Sequence, residues 1–146
     1  MPKSWKEISK MVEEIIKYFL ENVTLAEEFN NILADFLEEE ATTYTIEPVP
    51  VEPKIKTYTD GGSLNQYVFN FSSREFYDNS KAQNIKNLDF YDRFKVQIEY
   101  NNSKGILPKV DGIQTIECLT DGTIQDEENG TAKYAIQMRI TYLKEV

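Results

Sequence analysis

The chain has 146 residues, 40% of them hydrophobic and 28% charged, and its 25 acidic against 16 basic side chains give a formal charge of -9. That length suits one domain around a single core, and the composition is too apolar for a disordered chain. The acidic balance argues against a protein whose main work is gripping phosphate backbones, since such binding needs clustered Lys and Arg; a negatively lined passage instead repels a polyanion and lets it slide.

Met1 to Ser9 carries no apolar core before a small-residue cleavage site, and no segment reaches the roughly 18 apolar residues of a bilayer span. Neither secretion by that route nor membrane insertion is expected. Cys118 is the only cysteine, which rules out an intramolecular disulfide and fits a reducing compartment.

Ser4 and Glu7 have the spacing of a capping box, and Ile8, Met11, Val12, Ile15, Ile16 and Phe19 then recur at helical spacing, which predicts an amphipathic helix over Trp5 to Asn22. From Thr24 to Glu40, Leu25, Phe29, Ile32, Leu33, Phe36 and Leu37 are also compatible with helix, although Asn30 and Asn31 are poor helix residues and a strand near Ile32 to Phe36 is the alternative. Residues 1–40 are thus expected to be a helical N-terminal part, with Glu38, Glu39 and Glu40 as a solvated element end, and residues 42–146 an α+β core of the same single domain. Thr42 to Ile46 reads as a strand stopped by Pro48, Pro50 and Pro53, with Glu47 to Pro53 as an extended connector. Lys54 to Thr59 and the alternating Tyr67, Phe69 and Phe71 make a hairpin about Asp60-Gly61-Gly62.

A cap at Asp78 or Ser80 opens a second helix whose stripe is Ile85, Leu88, Tyr91, Phe94 and Ile98, ended by Asn101, Asn102 and Gly105. Ile116 and Cys118 suggest another strand, and Tyr134, Ile136, Met138, Ile140 and Tyr142 alternate with Ala135, Gln137, Arg139 and Thr141 in the strongest strand pattern of the chain. Asp121 to Thr131, with Gly turns at both ends and Asp126, Glu127 and Glu128 between, reads as a long, acidic, mobile hairpin loop, removable at Gln125 to Glu128 without loss of the fold.

The absence of histidine removes the commonest general base and every Ser-His or Cys-His nucleophile pair. Phosphate-cradling and dinucleotide Gly motifs are missing, as is a cysteine pair for zinc, so no cofactor, no metal and no catalytic residue is expected. Asp121, Asp126, Glu127 and Glu128 do not have calcium-loop spacing and read as a solvated loop, with a small carboxylate-dependent hydrolase as the enzymatic alternative. Arg74 and Glu75 are candidates for a structural or interface pair on the sheet. Cys118, in an apolar alternating strand, reads as a buried, unreactive thiol. The many Tyr and Phe lack interleaved Lys or Arg, so they are read as core and subunit-interface residues rather than as a stacking surface for nucleic acid.

Several words in order resemble a family of small tailed-bacteriophage proteins, the tail terminators or minor capsid proteins of head-tail joining. They are Tyr44-Thr45-Ile46-Glu47-Pro48-Val49-Pro50, Lys56-Thr57-Tyr58-Thr59-Asp60-Gly61-Gly62, and Gln66-Tyr67-Val68-Phe69-Asn70-Phe71-Ser72-Ser73-Arg74-Glu75. Asn84-Ile85, Phe90-Tyr91-Asp92-Arg93-Phe94 and Tyr134-Ala135-Ile136-Gln137-Met138-Arg139-Ile140-Thr141-Tyr142 complete the set. The words span roughly residues 42 to 142 and are mostly turn and strand residues, so the likeness carries a fold and an assembly role but no active site. The resemblance implies an α+β fold, a mostly antiparallel sheet with helices packed on one face. It also implies a homo-oligomeric ring, usually of six, that caps the tail tube in the virion, meets the head connector (and a sheath in a contractile tail) and passes DNA through its lumen without specific binding. A head-side connector or another minor virion protein is the structural alternative. Within the ring, Gln125, Asp126, Glu127, Glu128, Arg74 and Glu75 are the candidate interface residues.

Overall fold

Strands that bury one face and wet the other alternate apolar and polar residues, and two stretches of this chain do so at length. They form β4 (Ser63–Phe76) and β7 (Thr131–Lys144), antiparallel partners in unbroken register from Ser63 opposite Lys144 to Phe76 opposite Thr131. The computed structural model describes residues 2–23, 31–34, 43–76, 81–128 and 131–145, with side chains described for 6–23, 44–73, 88–125 and 132–145.

Around this pair the sheet has seven strands. On the outer side of β4 lie β2 (Thr43–Pro48) and, further along the same edge, β3 (Lys54–Thr57). The outer side of β7 is likewise shared by β5 (Ile113–Cys118) and β6 (Thr123–Glu128). A short β1 (Asn31–Ala34) adds to β2 in parallel; all other pairings are antiparallel. Two helices, α1 (Pro2–Asn22) and α2 (Lys81–Ser103), complete an α+β architecture.

Both helices pack on one face of the sheet. Phe71 stacks on Phe94 of α2 at 4.9 Å between ring centroids, meets Phe19 of α1 at 4.9 Å, and stacks on Tyr44 of β2 at 5.5 Å. Phe19 and Phe94 are themselves in edge contact at 5.3 Å. Tyr67, Phe69, Ile116, Ile136, Met138 and Ile140 extend this cluster along the sheet. A hydrogen-bonded seam joins the ends of the helices: the Asn101 amide donates to the Tyr18 hydroxyl (3.0 Å) and to the Asn22 carbonyl (2.9 Å), and accepts from Gln97 (2.8 Å), while Tyr18 donates to the Ile106 carbonyl (2.8 Å). Asn101 is buried with its amide fully engaged, the arrangement that makes a core polar group tolerable.

Two glycines are fixed by close approach. Gly112 has φ 74°, and a side chain there would run into the Leu143 carbonyl; one at Gly122 would collide with Cβ of Tyr91, too near the α2 backbone to swing aside. The predicted hairpin turn is present, with Gly61 donating to the Tyr58 carbonyl (3.0 Å), Tyr58 to the Gly62 carbonyl (2.8 Å) and Gly62 to the Asp60 carboxylate (2.9 Å).

Several expectations need correction. The first helix starts at Pro2, ahead of Ser4, so Ser4 is not its cap; proline is at home in a first helical turn, where its missing N–H is not needed. Ile8 is 41% exposed, because contact with the core begins only at Met11. Residues 31–34 are strand, the alternative open for this stretch, so 1–40 is not a wholly helical part: the two asparagines disfavour helix, and Ile32 and Leu33 find β-ladder partners in Tyr44 and Thr45. The remainder of that predicted helix, with Glu38, Glu39 and Glu40, lies outside the described residues, as does the side chain of Ile85 from the second stripe. Strand β2 runs on to Pro48, two residues past the predicted stop.

Because Phe71 holds both helices to the sheet, Phe71→Ala is expected to cost about 3 to 5 kcal/mol in chemical denaturation. Asn70→Ala, on the opposite face, is expected to stay within about 0.5 kcal/mol.

Candidate functional site

The acidic segment expected as a mobile loop is largely strand. In β6, Asp126 lies opposite Lys133, Glu127 opposite Ala132 and Glu128 opposite Thr131, and the register shifts by one residue between Ile124 and Asp126. Gln125 is therefore a bulge residue; it is exposed and its amide donates to the Thr123 hydroxyl at 3.1 Å. Ile124 packs against the core cluster, which anchors a strand whose later residues have poor β propensity. Gln125 to Glu128 are thus strand residues along the rim of β7 rather than a loop.

Arg74 is in register with Thr43 and Lys133, and Glu75 with Ala132. The side chains of Arg74 and Glu75, the pair expected from the sequence, lie outside the described residues. Asp121 precedes β6 and is tied to α2, accepting from Lys95 at 2.7 Å in an exposed ion pair. The same hydrogen bond holds the Lys95 ammonium above its ordinary pKa. No group of three or more metal-ligating side chains occurs among the described residues.

The sheet face away from the helices is polar and cross-linked, which the sequence did not disclose because the partners are far apart in the chain. Glu47 accepts from Lys133 (3.1 Å) and from the Ser72 hydroxyl (2.9 Å), joining β2, β4 and β7. Arg139 donates to Glu117 (3.2 Å) and Gln66 (3.3 Å), joining β5, β7 and β4, and the Thr115 and Thr141 hydroxyls are 2.6 Å apart. Such face-spanning pairs help to fix strand register.

Cys118 stands opposite Met138 in β5. It is half-buried, and desolvation pushes its thiol up to about 12, with Lys95 opposing the shift. Little thiolate forms near neutral pH, so the group is a weak nucleophile.

An open groove of about 570 Å³ runs between α1, the Lys109–Gly112 turn and the end of β7. Lys144 crosses it to Glu7 at 3.0 Å. Burial raises the Tyr142 hydroxyl above its ordinary pKa, with Lys144 opposing. Three lysines and four carboxylates line the groove, so it offers no single-signed field to a charged ligand. No described helix is long and apolar enough to cross a membrane. Neither a known protein family nor a curated protein matches the chain.

In native protein near neutral pH, Cys118 is expected to react with a disulfide reagent at least about a hundredfold more slowly than in the denatured chain, read by absorbance. A double-mutant cycle with Glu47→Gln and Lys133→Met is expected to give a coupling of about 1 kcal/mol, shrinking as salt is added.

Proposed function

We propose that the chain is a structural virion protein, a tail terminator that forms a ring on the last ring of the tail tube and joins it to the head connector. The observation that carries this reading is where the family words fall. They lie on β2, on the β3–β4 hairpin, along β4, on α2 and along β7, the elements that build the sheet and its helical cover. The likeness is therefore one of scaffold, and a scaffold role needs no catalytic group.

The layout is consistent with such a role. Helices cover one face of the sheet, the other face carries cross-strand ion pairs, and strand edges remain on both sides of the central pair. A ring of such subunits would stop tube growth by covering the tube's growing edge. With a charge of -9 per chain, acidic surface at the lumen would repel DNA and leave it free to pass. Assembly would take place in the cytoplasm of the bacterial host.

Purified chain added to polymerising tail-tube protein from the same genome is expected to arrest tube growth, with labelled chain at one end of each tube in negative-stain electron microscopy. Label spread along tubes, or tubes of unchanged length, would end the terminator reading. Binding to the connector but not to the tube would replace it with a head-side connector.

A further inference from the structure

Two edge strands at diagonally opposite corners of the sheet carry opposite charge. Strand β3 pairs with β4 alone, at the Ser63 to Asn65 end. All four of its residues, Lys54, Ile55, Lys56 and Thr57, are exposed, and neither lysine has an ion-pair partner among the described residues. Strand β6 pairs with β7 alone, at the Thr131 to Ala135 end, and carries Asp126, Glu127 and Glu128. The one basic residue in register with these acids, Lys133, is already bonded to Glu47.

A second observation singles out β3. Val51, Ile55 and Tyr58 are 41%, 45% and 38% exposed, three large apolar side chains within eight residues of a short edge strand. Alone, charge on an edge strand serves to keep edges apart. Here the signs differ, so β3 repels β3 and β6 repels β6 while the unlike edges attract. That pattern disfavours a two-fold dimer and favours a head-to-tail contact, the kind that generates rings or filaments.

We infer that successive copies of this chain join through β3 of one subunit and β6 of the next. Strand direction suits the contact. Within a subunit β3 runs antiparallel to β4 and β6 antiparallel to β7, so β3 and β6 are themselves antiparallel. A neighbour in the same orientation therefore offers β3 antiparallel to β6, extending the sheet. Measured on β7, the two corners are roughly ten residues apart, about 33 Å along the strands, so the line of assembly crosses the sheet diagonally. Both strands are bulged, between Lys54 and Lys56 and between Ile124 and Asp126. The shared ladder is accordingly short, and Val51, Ile55 and Tyr58 supply the buried apolar surface.

The inference rests on the ring reading for its partner, a second copy, and supplies the ring's subunit contact. Its test is charge reversal, with folding checked by circular dichroism and association by sedimentation velocity. Lys54→Glu with Lys56→Glu, and separately Asp126→Lys with Glu128→Lys, are each expected to weaken self-association at least about tenfold. An equimolar mixture of the two variants is expected to restore it, because each then meets an opposite edge. All four changes in one chain should restore it as well, which guards against a variant that merely folds poorly. In the otherwise native chain, Ile55→Cys with Gln125→Cys should give disulfide-linked oligomers under mild oxidation. Folded reversal variants that associate like the native chain, or a mixture that does not recover, overturn the contact and leave the terminator reading standing. Reversals that behave as stated in a protein that never caps tubes support the contact and end the terminator reading. A native chain that stays monomeric at every concentration, alone and with tube protein, overturns both.

Discussion

Everything in this fold hangs from the pairing of β4 with β7. With Tyr67 opposite Ile140, Phe69 opposite Met138 and Phe71 opposite Ile136, one face of the pair is a double row of large apolar side chains. A slip of β4 by one residue would bring Val68 and Asn70 to that face and send Tyr67, Phe69 and Phe71 to the other. The helices have no apolar surface of comparable breadth to pack on elsewhere, so their positions follow from this register. The flanking strands follow too, since each edge of the central pair is long enough to hold two short strands end to end.

The polar face shows how little freedom the arrangement leaves. Glu47 and Lys133 are 86 residues apart in the chain, yet meet at 3.1 Å because β4 holds β2 and β7 at a fixed spacing. Arg139 spans from β5 to β4 in the same way. At the other extreme of the sheet, the Tyr18–Asn101–Asn22 bonds lock the end of α1 to the end of α2, so the first helix is an integral part of the core, contributing Ile15 and Phe19 with no exposed surface.

What could be read from the sequence was what local pattern decides. The alternation from Tyr134 to Tyr142, the stripe through Leu88, Tyr91, Phe94 and Ile98, and the turn at Asp60-Gly61-Gly62 all describe their own surroundings, and all three were legible. Strand β6 was not, because Asp126, Glu127 and Glu128 are poor strand formers and only the ladder to β7 makes them one. The strand at Asn31 was legible only as an alternative to helix, because its partner β2 lies twelve residues on. Of the candidate interface residues, Asp126, Glu127 and Glu128 read as loop from their charge and turn signals, whereas they stand in a strand. The basic edge at Lys54 and Lys56 went unremarked, because two lysines in a strand stand out only when the sheet shows them at an edge.

Asn102 carries a consequence for how any assembly through the β7 rim would behave. Its side-chain oxygen accepts from the Ile116 N–H at 3.0 Å, occupying a backbone donor on β5, so that part of the rim has less to offer an incoming strand. The six residues of β6 remain, a footprint of about 20 Å. One contact of that size would be weak, so that a mispositioned subunit could leave before its neighbours trap it. Closure changes the arithmetic, since a subunit held on both sides rebinds at a high effective concentration. A ring built through this contact, as proposed above, would anneal its own errors while open and persist only once closed.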